Sequence, residues 1–191
     1  YFAGTPNSAA EILKSLASNS LFNIKGVITQ PDKKGKRGNQ RIESPVSLMA
    51  NSLKIQTYKP NNLTKEHIQN DIDITSADIL LVVAYGNIIP TWILESNIKA
   101  INIHYSLLPS YRGASPIQSS LLNNDKKTGV TFMQMSEDLD AGKVIKCFEV
   151  PINKNDNKSS LEKKLTKLSI LNLEKVIADF YSNKIIPVNQ D

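Results

Sequence analysis

Three side chains in this sequence could do chemistry together. Asn102 and His104 stand two residues apart in Ile101-Asn102-Ile103-His104, and a carboxylate, Asp140, lies in Asp138-Leu139-Asp140-Ala141-Gly142. On a strand, side chains alternate between faces, so Asn102 and His104 project one way while Ile101 and Ile103 project the other. Two polar groups side by side at the end of a buried strand are costly unless something binds them. An amide NH2 can donate to a developing oxyanion, imidazole exchanges a proton near neutral pH, and a carboxylate can orient the imidazole and organise a proton-carrying water.

The elements that must position these groups follow from the apolar pattern. Tyr1 to Ala3 reads as the tail of a first strand that turns at Gly4-Thr5-Pro6. Ser8 and Glu11 then have the spacing of a capping box for a helix that buries Ala9, Ile12, Leu13 and Leu16. Residues 24–29 form a strand and 30–43 a polar loop. A helix starts at Ser44-Pro45, residues 54–58 form a short strand and 63–69 a short helix. The continuous apolar run Ile79 to Ala84 predicts a strand covered on both faces, leaving through Tyr85-Gly86-Asn87 to a helix at Pro90. Residues 98–104 are the strand that carries Asn102 and His104. Ser115 to Gln118 predicts a capped helix reaching Asn123. Residues 129–135 and 143–150 alternate as two strands joined by the Asp138 to Gly142 turn. Ser159 and Glu162 cap a last helix with an apolar stripe of Leu161, Leu165, Leu168, Leu171, Val176 and Phe180. Strands alternating with helices predict an α/β fold: a Rossmann-like, mostly parallel sheet with helices on both faces and an antiparallel hairpin at one edge. Ligands of such sheets bind past the carboxyl ends of strands, where Asn102 and His104 fall.

Composition narrows the classes. With 191 residues, 40% hydrophobic and 21% charged, the chain suits one well-packed domain. No apolar run has the length of a membrane span, so a soluble, cytoplasmic protein without a membrane partner is expected. The single Cys147 forms no internal disulfide, and His67, His104 and Cys147 share no metal-ligand spacing, so no metal is expected. The net charge of +5 suits an anionic partner. Gly4-Thr5-Pro6-Asn7-Ser8 is not G-x-G-x-x-G, which argues against a dinucleotide cofactor. The chain starts within a strand and stops without a clear terminus, as a piece of a longer protein would.

The sequence text resembles the folate-dependent formyltransferases, and within them the N-terminal catalytic domain of the methionyl-tRNA formyltransferase family. The resemblance rests on Asn102-Ile103-His104, Ser106-Leu107-Leu108-Pro109, Tyr111-Arg112-Gly113-Ala114, Pro116-Ile117-Gln118 and Leu139-Asp140-Ala141-Gly142, with Phe2-Ala3-Gly4-Thr5-Pro6 and Gln30-Pro31-Asp32 upstream. It departs at Tyr105, where many relatives carry a small residue or proline; a changed pocket wall is expected there.

The resemblance implies transfer of the formyl group of 10-formyltetrahydrofolate, a co-substrate, to the α-amino group of initiator methionyl-tRNA. Asn102, His104 and Asp140 would be catalytic, with Asn102 and His104 on the formyl oxygen and Asp140 managing protons. Folate would meet Ser106, Leu107, Leu108 and Pro109, the loop Tyr85, Gly86, Asn87 and Ile88, and Asp138. Lys33, Lys34, Lys36, Arg37 and Arg41 would contact the acceptor end of the tRNA through its phosphates. The catalytic domain is expected over 1–183, as a monomer, with 184–191 beginning a linker to a C-terminal β-barrel domain. Two other readings stay open: a formyltransferase for an amino sugar nucleotide, and a non-catalytic folate- or RNA-binding domain.

Overall fold

The computed structural model describes residues 1–35, 41–64 and 72–191, which form two compact units, Tyr1–Ile98 and Lys99–Asp191. The helix expected over 63–69, with His67, and the loop residues Lys36 and Arg37 fall wholly or mostly outside the described residues.

In the first unit four short strands run parallel: β1 (Phe2–Gly4), β2 (Val27–Ile28), β5 (Thr57–Tyr58) and β6 (Ile79–Val83), in the order β5-β2-β1-β6. Phe2, Ala3, Leu80 and Leu81 are buried, as the unbroken apolar run requires of a strand covered on both faces. The helix α1 (Asn7–Ala17) lays Ala9, Ile12, Leu13 and Leu16 into the core. The expected Ser8–Glu11 capping box does not form. Pro6, extended at ψ 178, already starts the turn, so Ser8 is buried inside the helix rather than at its cap. Helix α2 (Pro45–Ser52) begins as expected, with the Ser44 side chain accepting from the Ser47 amide and Pro45 in the first turn.

Residues 30–43 are not wholly irregular. Lys33–Lys34 (β3) and Arg41–Ile42 (β4) pair antiparallel, Lys33 against Ile42 and Lys34 against Arg41. Lys59 braces the foot of this hairpin, its Nζ 2.7 Å from Asp32 Oδ1 and 2.9 Å from Glu43 Oε2. Partial burial pulls the Lys59 ammonium down, but the bonds to Asp32 and Glu43 outweigh it and hold the group above the ordinary lysine value. The Ser47 hydroxyl and then Lys59 hold the Glu43 carboxyl below its ordinary value.

The second unit is antiparallel, in the order β7 (Lys99–His104), β8 (Lys127–Gln134) and β9 (Val144–Pro151). Asn102 pairs with Met133 and His104 with Thr131. Helix α3 (Thr91–Leu94) belongs to the first unit, and α4 (Pro116–Leu122) to the second. Pro116 opens α4 as expected, but Ser115 makes no capping bond; its ψ of 44 departs from the extended conformation that aims a capping oxygen at the first turn. The last helix, α5 (Lys158–Tyr181), is capped two residues earlier than expected, by a reciprocal box between Asn157 and Ser160. Leu161, Leu165, Leu173, Val176, Ile177 and Phe180 are its buried face, whereas Leu171 is exposed: at about 100° per residue it falls on the far side from the others. Cys147 is exposed on β9. With parallel strands, interleaved helices and an antiparallel hairpin, the chain has the α/β fold that its pattern predicts.

Asp156 locks the start of α5. Its carboxylate accepts from the Asn153 amide (2.7 Å) and the Ser160 hydroxyl (2.8 Å) and pairs with Lys164 (2.5 Å). The Lys164 ammonium, followed by the Asn153 amide, lowers the Asp156 pKa to about 2 from 3.8. A carboxyl depressed in the folded state adds stability above its unfolded value, and that stability is lost as pH falls through the folded value. Asp156→Asn should therefore lower Tm at pH 7, with the gap to the parent closing as pH falls from about 4 toward 2; thermal unfolding across that range checks it.

Candidate functional site

Strand β7 delivers Asn102 and His104 to one face, as alternation requires, and both meet Asp140. Asn102 donates from Nδ2 to Asp140 Oδ1 at 3.2 Å, and His104 Nδ1 lies 3.6 Å from Asp140 Oδ2. The His104 side chain is 7% exposed and that of Asp140 10%, so solvent and salt screen this contact little. The other ring nitrogen, Nε2, is 2.9 Å from the Tyr111 carbonyl. A carbonyl only accepts, so Nε2 carries the proton in the neutral ring and Nδ1 is left with a lone pair beside the carboxylate.

Asp140 is held from several sides. Its Oδ2 accepts from the Gly113 amide at 2.8 Å, and its own backbone sits in the left-handed region at φ 50, where Asp is tolerated at a cost on the order of 1 kcal/mol. Gly113, at φ 105, can present its amide there because it has no Cβ. The turn closes at Gly142, where a Cβ would lie 1.8 Å from the Gln134 carbonyl oxygen. Tyr111, also left-handed at φ 58, is pinned by its hydroxyl, which donates to Asp125 (2.7 Å) and accepts from Asn123 (2.9 Å).

Past His104 the chain turns sharply. The Ser106 hydroxyl donates to the Ser110 carbonyl at 2.6 Å, and Thr131, opposite His104, donates to the Ser106 carbonyl while accepting from the Leu108 amide. Ser106 is fully buried, so its side chain shapes the loop; Leu107 and Leu108 are half-buried and Pro109 is exposed. Tyr105 points to the other face, its buried hydroxyl 3.0 Å from Thr166 on α5, and is thus part of the helix packing. This places Tyr105 in the core, packed against α5.

Asp138 is exposed, and its carbonyl accepts from the Ser136 hydroxyl and the Ala141 amide. In the first unit, Thr5 donates to the Tyr85 carbonyl (2.7 Å) and Gln30 to Asn87 (3.4 Å), which brace the Tyr85-Gly86-Asn87 loop. The Tyr85 ring is buried and its phenol pushed up by that burial, so the loop presents backbone and the exposed Ile88. Lys33, Lys34 and Arg41 are exposed on the β3–β4 hairpin. Among the described residues no cluster of His, Cys, Asp and Glu could hold a metal, and no helix is long and apolar enough to cross a membrane. Sequence reasoning overlooked the Tyr111 carbonyl and the Gly113 amide, whose only signal was their place in Tyr111-Arg112-Gly113. It also passed over Gln190, which nothing in the pattern marks.

Residues 1–177 match the family described as formyl transferase. The methionyl-tRNA formyltransferase of Buchnera aphidicola subsp. Baizongia pistaciae (strain Bp) is 42% identical over 190 residues, covering 99% of this chain and 58% of that protein. The chain therefore spans less than two thirds of the length of this curated relative. Among solved structures, phosphoribosylglycinamide formyltransferase from Anaplasma phagocytophilum aligns with a TM-score of 0.78 and 25% identity, over 96% of this chain and 86% of that one. An N-formyltransferase from Helicobacter canadensis, in complex with folinic acid and dTDP-3-aminofucose, aligns at 0.73 and 22% identity, over 100% of this chain and 66% of that one, a likeness of fold.

The close approach at Gly142 has a measurable consequence. Gly142→Ala must displace the Gln134 backbone or the turn itself, and should cost about 2 kcal/mol or more in urea unfolding. A cost within about 0.5 kcal/mol, typical of an indifferent surface site, would show that the turn has room to move.

Proposed function

This chain belongs to the formyl transferase family, and from that premise we propose that it transfers the formyl group of 10-formyltetrahydrofolate to the α-amino group of initiator methionyl-tRNA. The observation that carries the chemistry is the meeting of Asn102 and His104 on one carboxylate, Asp140. The choice of acceptor rests on the 42% identity to a protein named for methionyl-tRNA.

The donor set fits a formyl group. When an amine adds to a formyl carbon, charge develops on oxygen, and a preorganised donor there is worth on the order of 3 kcal/mol. Asn102 spends one amide hydrogen on Asp140 and has a second to offer. His104 commits Nε2 to the Tyr111 carbonyl, so Nδ1 is the atom that takes the proton of the attacking amine. Once protonated, Nδ1 faces Asp140 and can return the proton to the departing folate nitrogen. The new bond joins the amine nitrogen to the formyl carbon, the bond from that carbon to the folate nitrogen breaks, and no net proton is gained or lost by the enzyme. In this account the formyl oxygen falls to Asn102, while His104 and Asp140 share the proton work.

Folate would lie against the loop of Ser106, Leu107, Leu108 and Pro109 and at Asp138. Flat heteroaromatic ligands suit such partly apolar walls with a few polar groups. The exposed Lys33, Lys34 and Arg41, with Lys36 and Arg37, would meet tRNA phosphates, gaining affinity through counterion release. Residues 184–191 would lead toward a tRNA-holding β-barrel domain, in a cytoplasmic, monomeric enzyme.

Single-turnover transfer from 10-formyltetrahydrofolate, with charged initiator tRNA and a dTDP-amino sugar offered in parallel, tests the reading. Formylation of the tRNA supports it; formylation of the sugar alone would overturn the acceptor. His104→Ala and Asn102→Ala should each lower the single-turnover rate by about 10²-fold or more while folate still binds. Arg37→Ala should weaken use of tRNA and flatten its salt dependence without changing folate affinity; equal losses in both would sink that role for the loop.

A further inference from the structure

The chain returns to the site after α5. Val188 pairs antiparallel with Val144, at the start of β9, through bonds of 2.8 and 2.9 Å. Two residues on, the Gln190 carboxamide uses all its hydrogen-bonding capacity. Its Nε2 donates to the Asp140 carbonyl at 2.8 Å and to the Gly142 carbonyl at 2.7 Å, while its Oε1 accepts from Arg112 Nε (2.9 Å) and Nη2 (2.7 Å). Two carbonyls on one side and a guanidinium on the other fix which end of the amide is nitrogen, since the flipped amide would face every partner wrongly.

These bonds close a ring around Asp140. The Asp140 carboxylate accepts from the Gly113 amide; Gly113 follows Arg112; the Arg112 side chain reaches Gln190; and Gln190 returns to the Asp140 backbone. The two segments that fix the carboxylate, Tyr111 to Gly113 and Asp140 to Gly142, are thus tied by one side chain from fifty residues downstream. Neither Gln190 nor Arg112 bonds to Asn102 or His104 directly. Asparagine would be too short to span the gap, glutamate has no N–H to donate, and lysine has nothing to accept with.

We propose that Gln190, with Arg112 acting through it, is a positioning residue that sets the Asp140 carboxylate against Asn102 and His104. The proposal rests on the reading of Asp140 as part of the transfer site. Two readouts on the full chain separate the ideas. The first, independent of activity, is amide hydrogen exchange at Gly113 and residues 140–142, compared with the β7–β8 ladder at Phe132. The second is the formyl transfer rate with charged initiator tRNA. In Gln190→Ala, exchange at Gly113 and the turn should accelerate with Phe132 unchanged, and kcat should fall about tenfold or more, since displacements near 1 Å can cost ~10²-fold. KM for the folate should stay within about twofold, the pattern of an interaction felt in the transition state. Gln190→Glu keeps a partner for Arg112 but loses both donors, so it should fail as Gln190→Ala does. Adding Arg112→Ala to Gln190→Ala should cost little more, because the two act in series. Parental exchange at Gly113 in Gln190→Ala, full rescue by Gln190→Glu, or equal acceleration along the whole ladder would each overturn the positioning role. If the parent transfers no formyl group, the functional reading fails while the exchange data still decide whether Gln190 holds the turn.

Discussion

The site depends on one carboxylate that several groups must share. Asp140 accepts from an amide side chain and a backbone N–H while standing beside an imidazole, all with little solvent access. A buried carboxylate is costly unless its lone pairs are met, so each of those donors is needed for stability as well as for geometry. Folding and the geometry of the candidate site therefore draw on the same bonds. The position of Asn102 cannot change without unsatisfying Asp140, and Asp140 cannot move without loosening Gly113.

The rest of the second unit reads as a response to that demand. Strand alternation puts Asn102 and His104 on one face, and antiparallel pairing puts Thr131 opposite His104, where its hydroxyl closes the turn after the strand. The β8–β9 connection brings Asp140 back because Gly142 lets two backbone segments nearly touch. In the first unit the logic is different. There the Lys59 bonds to Asp32 and Glu43 close the foot of the basic hairpin, so charge pairs brace it.

Much of this was legible in the residues. The apolar run at Ile79 and the alternation around Asn102 and His104 report burial directly, whereas Asp140 stands out through the resemblance of Leu139-Asp140-Ala141-Gly142 to the family, since turn chemistry alone accounts for an Asp there. What stayed hidden was of two kinds. Ser8 and Ser159 are not the caps that their spacing suggests, and Ser115 stands at its cap position without the capping bond, because a serine at the right spacing says nothing of its own ψ or of a competing cap nearby, such as Asn157. Backbone partners were missed because any residue offers a carbonyl and most an N–H; only the fold says that Tyr111 and Gly113 aim theirs at His104 and Asp140. Leu171 was misplaced for a simpler reason: a leucine on a long helix need not face the core.

The partner of His104 Nε2 is main chain, and this changes what mutation can reach. No substitution at position 111 deletes a carbonyl, so the histidine's tautomer is insulated from the chemistry of whichever side chain stands there. What it is not insulated from is shape. The left-handed φ of 58 at Tyr111 is open to glycine or asparagine and closed to β-branched residues. Drift at this position is thus filtered by backbone conformation and by the hydroxyl's bonds to Asp125 and Asn123, and by no contact of the side chain with the histidine.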